Sequence, residues 1–369
     1  MFFEPRHQEL AARLRAAAPA IAAVETSAGQ GEAARDAAAV AALGDAGLFG
    51  LVAGGSIDVR SICLARELLG WVSPRADSIF AVQGLGAYPL SLAKAHLDLV
   101  TKAAEGDAVL AFALTEPEAG SDVGAIATHA VPSETGGWIL DGEKTLISNL
   151  GVATHAIVFA TLEPGAKGAT RAFVVPIDTP GVKVEPMQAT APHPIGRLIL
   201  RGAKLPASAL VGGAPDTSGL RLALATLDTF RVTVGAAAVG MARRAMHEAI
   251  THVRARVQFG APLATQPLVQ AHLADMAVDL DAARLLVLRA AFAKDAGEHA
   301  RTEVSIAKLG ATEAAQRVID RAVQLVGGRG VMAGAVVEHL YRAIRPLRIY
   351  EGTSEIQRTI IGKAVAEHA

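Results

Sequence analysis

Near the C-terminus of this 369-residue chain, Glu351 lies between Tyr350 and Gly352 in the run IYEGTSEIQR (Ile349 to Arg358), with Thr353 and Glu355 close behind. A carboxylate can act as a general base if its surroundings hold it away from water. The same run also reads as a helix start, with Thr353 or Ser354 as N-cap and Glu351 as a solvated loop residue. A second polar cluster is FALTEPEAGSD, Phe112 to Asp122, where a strand-like run ends in a loop carrying Gly120 and Ser121. Such a loop offers backbone N–H groups and a small hydroxyl to a polar ligand, and its glycine permits close approach. Taken alone, it reads equally as an ordinary strand-end turn.

Composition narrows the chemistry. The single Cys63 cannot form an internal bridge, which suits a reducing cytoplasm and excludes a structural Cys-ligated metal site; no metal site is expected. A formal charge of -1 with 19% charged residues gives no basic field for nucleic acid. The apolar run AAAPAIAAV from Ala16 follows two arginines but has Glu4 and Glu9 upstream, and reads as part of a first helix. No segment shows the uninterrupted apolar length of about 20 residues that a membrane span needs, so no integral membrane association is expected.

The elements that must position these clusters fall into three stretches. Residues 1–105 are rich in Ala, Leu, Glu and Arg and read as an N-terminal helical domain. Residues 106–212 contain VLAFALTE, THAVPS, GWILDGEK, HAIVFATL, RAFVVPI and IGRLILRGAKLP, short β-rich runs separated by Gly, Pro and Asp, and predict a small β domain. Helical periodicity returns over residues 213–369. Leu220, Leu224, Leu227, Phe230, Val234, Ala238, Met241 and Ala245 form one apolar stripe. Val269, Leu273, Met276, Leu280, Ala283 and Val287 form a second, and Ala307, Ala311, Ala314, Val318, Ala322 and Leu325 a third. With a shorter helix after Thr353 these predict an antiparallel four-helix bundle. The class is α+β, in the order helices, β barrel or sheet, helices.

That order, with FALTEPEAGSD, LDTFRVTVGAAAVGMARRA, QFGAPL, AVQLVGGRGV and YRAIRPLRIYEGTSEIQR in sequence, resembles the acyl-CoA dehydrogenase family from about Gly44 to the C-terminus. The resemblance implies FAD held against the β domain, with Phe112, Leu114, Thr115 and Ser121 near the isoalloxazine and ribityl chain, and Leu146 and Ser148 beside the flavin. It implies that Arg256 and Phe259 reach the FAD of a neighbouring subunit, with Gln324, Gly327 and Gly328 forming a second cradle and Thr353 a further contact. Substrate contacts would be Ser121, Asp228, Arg231 and Gly352, the helix pair Asp228 and Arg231 lying on the CoA side. Glu351 then matches the catalytic base, taking an α-proton of an acyl-CoA while a β-hydride leaves to give a trans-2-enoyl-CoA. An electron-transferring flavoprotein as acceptor and a homodimer or homotetramer complete the implied picture.

Departures from the family pattern keep rivals open. Leu146 replaces an aromatic, His193 and Pro194 stand in an altered segment between Met187 and Gly212, Pro267 replaces a Gln, and Ala343 replaces an acid. Leu146 and His193 suggest a flavin-dependent oxygenase or oxidase on the same fold, against which Glu351 argues. A half-active subunit of a heteromer is a second alternative, and a helical scaffold or binding module a third.

Overall fold

The computed structural model describes residues 2–26, 31–134, 136–163, 168–212 and 218–367. The chain forms two compact units, each drawing on separated stretches. One comprises Met1–Ala22, Asp58–Asp77 and Arg231–Ala369, the other Ala23–Ile57 and Ser78–Phe230. Among the described residues, α-helices between Pro5 and Glu105 precede the main run of strands and α-helices between Gly219 and Glu367 follow it, the α+β order expected. The units, however, divide the N-terminal helices between them.

In the second unit, seven strands make one sheet. They are β1 (Leu110–Ala113), β2 (His129–Pro132), β3 (Trp138–Ser148), β4 (His155–Thr161), β5 (Thr170–Pro176), β6 (Val182–Met187) and β7 (Ile195–Leu205). The order is β1-β4-β2-β3-β7-β6, with β5 on β4; β1 and β4 run parallel, whereas β3–β7 and β6–β7 are antiparallel. Along β7, Gly196, Leu198 and Leu200 are buried and then Ala203 and Leu205, the phase changing beside the bulge at Leu140/Gly142 of β3. Residues 156–160 of β4 are all buried, as the unbroken apolar run HAIVFAT requires. The edge strand β6 was not among the expected runs. Its VKVEPM pattern is weak, and it carries Pro186 where an edge tolerates one.

In the first unit, α7 (Pro267–Asp295) packs along α8 (Arg301–Val326), while α9 (Val336–Ile344) and α10 (Ser354–Glu367) lean on α8 and α3 (Val59–Val72) on α7. The long α6 (Gly219–Ala255) departs from its expected single stripe. Leu224 is exposed where Ala223 and Thr226 are buried, and every residue from Arg231 to Ala242 is buried. Small residues explain the second departure. A Cβ on Gly240 would lie 2.1 Å from the Glu67 carbonyl oxygen, and one on Gly70 2.4 Å from that of Ala237, so α3 and α6 meet backbone to backbone. By length and mean hydropathy α6 could cross a membrane, although Asp228, Arg231, Arg243 and Arg244 interrupt it and it holds no unbroken apolar run of the expected length. Its apolar window is 72% buried inside the protein, as suits a helix apolar on all sides in a core.

Candidate active site

Glu351 sits three residues past a short 3₁₀ turn, Arg345–Arg348, and just ahead of α10 (Ser354–Glu367). Thr353 accepts a hydrogen bond from Ile356 N–H (3.3 Å), so it is the N-cap of α10, and Ser354 Oγ donates to Glu313 (2.6 Å). The helix-start reading is therefore right for Thr353, yet Glu351 is not a solvated loop residue. Its Oε2 is buried and has no hydrogen-bond partner among the described residues. Its backbone is left-handed (φ +53°), as is that of Gly352 (φ +93°), a conformation that strains a side chain such as Glu and persists only when neighbours enforce it.

Those neighbours are cations acting on the main chain. Arg231 Nε donates to the Glu351 carbonyl (2.9 Å); Lys308 Nζ (2.6 Å) and Gln357 Nε2 (3.1 Å) donate to the Gly352 carbonyl. Behind them, buried Arg66 makes a two-pronged pair with buried Asp77 (2.9 and 2.8 Å) and donates to Thr233 Oγ1 (3.0 Å). Burial pushes the Glu351 carboxyl above its ordinary pKa. The charges of Arg66, Arg231 and Lys308 act to lower it, and Asp77 acts with burial. Burial also pushes the Lys308 ammonium down to about 8, against the pull of Glu351. A carboxylate poorly hydrated but surrounded by positive charge suits proton abstraction near neutral pH.

Of the expected residues, Arg231 is buried and holds the Glu351 carbonyl, a use that the CoA-contact expectation did not foresee. Arg66, Asp77, Lys308 and Gln357 were missed. The available signal was a charged or amide side chain on an otherwise apolar helix face, such as Arg66 among Ile62, Cys63 and Leu69.

In the sheet unit, the segment after β1 is anchored by an internal ion pair. Lys144 Nζ donates to Glu116 (2.6 Å) and to the Leu114 carbonyl (3.1 Å), while Glu116 accepts the N–H groups of Ala127 (2.6 Å) and Thr128 (3.0 Å). Burial pushes Lys144 down to about 8; it would also raise Glu116, but Lys144 and the N–H donors hold that carboxyl below its ordinary value. Lys144→Met leaves Glu116 buried and unpaired, and should cost about 3–5 kcal/mol of stability. Urea unfolding checks this; a midpoint unchanged from the parent would show the pair to be dispensable.

The anchored segment leaves Gly120 and Ser121 exposed, and Thr115 half-buried with its carbonyl on Thr145 N–H (3.0 Å). Leu114 is buried and Phe112 packs on Phe159 (4.9 Å between ring centres), so for Leu114 only the main chain is open to a ligand. Opposite, the β3–β7 register shifts between Lys144 and Ile147, and Leu146 takes φ +57° with its side chain 57% exposed. Ser148 Oγ lies 3.4 Å from His193 Nε2. An exposed apolar side chain on a bulge, next to small hydroxyls and free glycine backbone, fits a flat, uncharged ring system with a polar tail.

Elsewhere in the helical unit, β8 (Val257–Gln258) and β9 (Ala261–Pro262) form a two-residue hairpin whose turn holds Phe259 at φ +53° and 95% exposed, beside exposed Arg256. Gln324, Gly327 and Gly328 are exposed where α8 ends, and a Cβ on either glycine would meet nothing within 4 Å.

Comparison with known proteins agrees with this layout. The acyl-CoA dehydrogenase middle-domain model matches residues 111–202 and the C-terminal-domain model residues 217–366. An acryloyl-CoA reductase (NADH) of Anaerotignum propionicum is 40% identical over 276 residues, 73% of this chain and 68% of the relative. A probable acyl-CoA dehydrogenase of Bacillus subtilis is 35% identical over 343 residues, 87% of each. The solved butyryl-CoA dehydrogenase from Megasphaera elsdenii superposes with a TM-score of 0.88 at 28% identity, covering 99% of both chains. The chain belongs to the acyl-CoA dehydrogenase family.

Proposed function

We propose that this protein carries out α,β-dehydrogenation of an acyl-CoA thioester, with Glu351 as the base. Family membership makes it a flavin-dependent oxidoreductase acting on acyl-CoA, with FAD as cofactor. FAD, when bound, supplies the acceptor for the two electrons that leave the β-carbon as hydride. The strand-end residues Phe112, Leu114, Thr115, Ser121, Leu146 and Ser148 would hold it, with a contact from Thr353. Arg256, Phe259, Gln324, Gly327 and Gly328 would serve the FAD of a second copy, in a homodimer or homotetramer. The strain and exposure of Phe259 support such a partner. Ser121, Asp228, Arg231 and Gly352 are proposed on the substrate side, Arg231 by fixing the loop. Reoxidation by an electron-transferring flavoprotein is part of the same proposal.

The observation that carries the reading is the buried, unpartnered Oε2 of Glu351 in a strained loop held by cations. The α C–H bond breaks with its proton passing to this oxygen, and the electron pair left on the α-carbon becomes the new α,β double bond as hydride departs. The Glu351 backbone N–H is the residue's contribution to stabilising the thioester oxygen as charge builds on it. Because the proton acceptor must be ionised and its pKa is raised, flavin bleaching by substrate should rise with pH through a value above that of an ordinary glutamate. An anaerobic panel of acyl-CoAs tests the assignment. Bleaching by at least one is expected; bleaching by none would remove the CoA assignment.

A second reading is favoured by the same raised pKa: a Glu351 that holds its proton can deliver it to the α-carbon of an enoyl thioester, the reverse direction. Anaerobic photoreduced protein mixed with enoyl-CoAs distinguishes the two by which direction runs to completion.

A further inference from the structure

Lys308 carries its ammonium group on a fully buried side chain in the middle of α8. Its Nζ is 2.6 Å from the Gly352 carbonyl, the peptide immediately after the base. Gln357 Nε2 reaches the same oxygen at 3.1 Å and Arg231 Nε holds the preceding carbonyl at 2.9 Å. Both carbonyls of a left-handed pair are thus directed onto fixed donors, and a Cβ at Gly352 would lie 2.5 Å from Gln357 Nε2. We propose that Lys308 is a positioning residue for the base. By tethering the Gly352 carbonyl it enforces the left-handed turn that presents the Glu351 carboxylate, and its charge favours the ionised form of that carboxylate through space.

The geometry favours this over a purely structural role, because a neutral donor would satisfy the carbonyl without the cost of burying an ammonium group. The charges acting on Lys308 are Glu351, Arg231, Glu313 and Glu355; those acting on Glu351 are Arg66, Arg231, Lys308 and Asp77. Burial outweighs the acids at Lys308, which is why its pKa falls to about 8, and at neutral pH it still carries its charge. Removing that charge takes away one of three cations that favour ionised Glu351, so the carboxyl pKa rises.

The inference rests on Glu351 being the base, and the test separates the two. In Lys308→Met holoenzyme, anaerobic flavin reduction by an acyl-CoA should slow by about 10²-fold as the carboxylate loses its aim. The acid limb of its pH profile should move up by about one unit, while the thioester dissociation constant, read from the flavin spectrum, stays within about threefold of the parent. If Lys308→Met does not fold with FAD, Lys308→Gln keeps an N–H donor and drops the charge, and the same upward displacement of the limb is expected. A limb at the parental pH in the folded variant, whatever the loss in melting temperature, overturns the inference. Glu351→Gln is measured alongside. If it bleaches at the parental rate, the base assignment fails and Lys308 has nothing to position. If it is inactive while Lys308→Met retains parental rate and limb, only the Lys308 inference is withdrawn.

Discussion

Glu351→Gln should slow flavin reduction by acyl-CoA about 10²- to 10⁴-fold, the contribution of a positioned general base, while folding, FAD content and thioester binding hold. The amide keeps nearly the same volume, and the left-handed backbone is held by main-chain contacts from Arg231, Lys308 and Gln357 and not by the carboxylate. Stability should move in the opposite sense to activity. The folded-state pKa of Glu351 is raised above its unfolded value, so its stabilising effect is present below the unfolded pKa and lost as pH rises through the folded one. Above that point the parent carries a buried charge whose desolvation the nearby cations do not fully offset, and the amide lacks it. The variant should therefore unfold at equal or higher urea concentration at pH 7, and a large loss of stability would mean that the carboxylate is structural.

The second large effect is at Arg66. Its guanidinium is buried and paired by two hydrogen bonds to buried Asp77; burial works against its charge, but Asp77 more than offsets this and raises its pKa. Arg66→Met leaves Asp77 buried and uncompensated, at a cost of about 3–5 kcal/mol. It also removes the leading positive influence on Glu351, so the acid limb of flavin reduction should shift upward. Adding Asp77→Leu should restore much of the stability, since an apolar pair of similar volume avoids the desolvation cost, but not the position of the limb. Urea curves and pH profiles of the single and double variants check both parts. A double variant that restores both would show that Arg66 acts on Glu351 only through folding.

Much of this arrangement was legible in the sequence because it is written in local patterns. The β-rich runs became β1–β5 and β7, and the stripe on α7 buries Met276, Ala283 and Val287 as its spacing requires. α6 was misread over its first turns because Leu224 scores as core while the packing selects Ala223 and Thr226. Its middle was misread because close helix contact depends on Gly70 and Gly240, whose role shows only when two backbones meet. Glu351 was singled out through motif order, but the surroundings that suit its carboxylate to proton transfer were not. Arg66, Asp77, Arg231 and Lys308 come from four helices, and no spacing rule along one segment connects them. Lys308 illustrates the difficulty. It lies next to the Ala307, Ala311, Ala314 stripe and reads as a solvated neighbour until its Nζ is seen on the Gly352 carbonyl.

The central claim, that Glu351 removes the α-proton, is tested most directly by separating proton transfer from hydride transfer. An acyl-CoA without β-hydrogens, incubated anaerobically in D2O with the FAD-loaded protein, can exchange only at its α-carbon. The parent should catalyse deuterium incorporation there, followed by mass spectrometry or NMR, and Glu351→Gln should not exceed the uncatalysed rate although it binds the thioester equally well. Exchange by Glu351→Gln at the parental rate would contradict the account and place the base elsewhere.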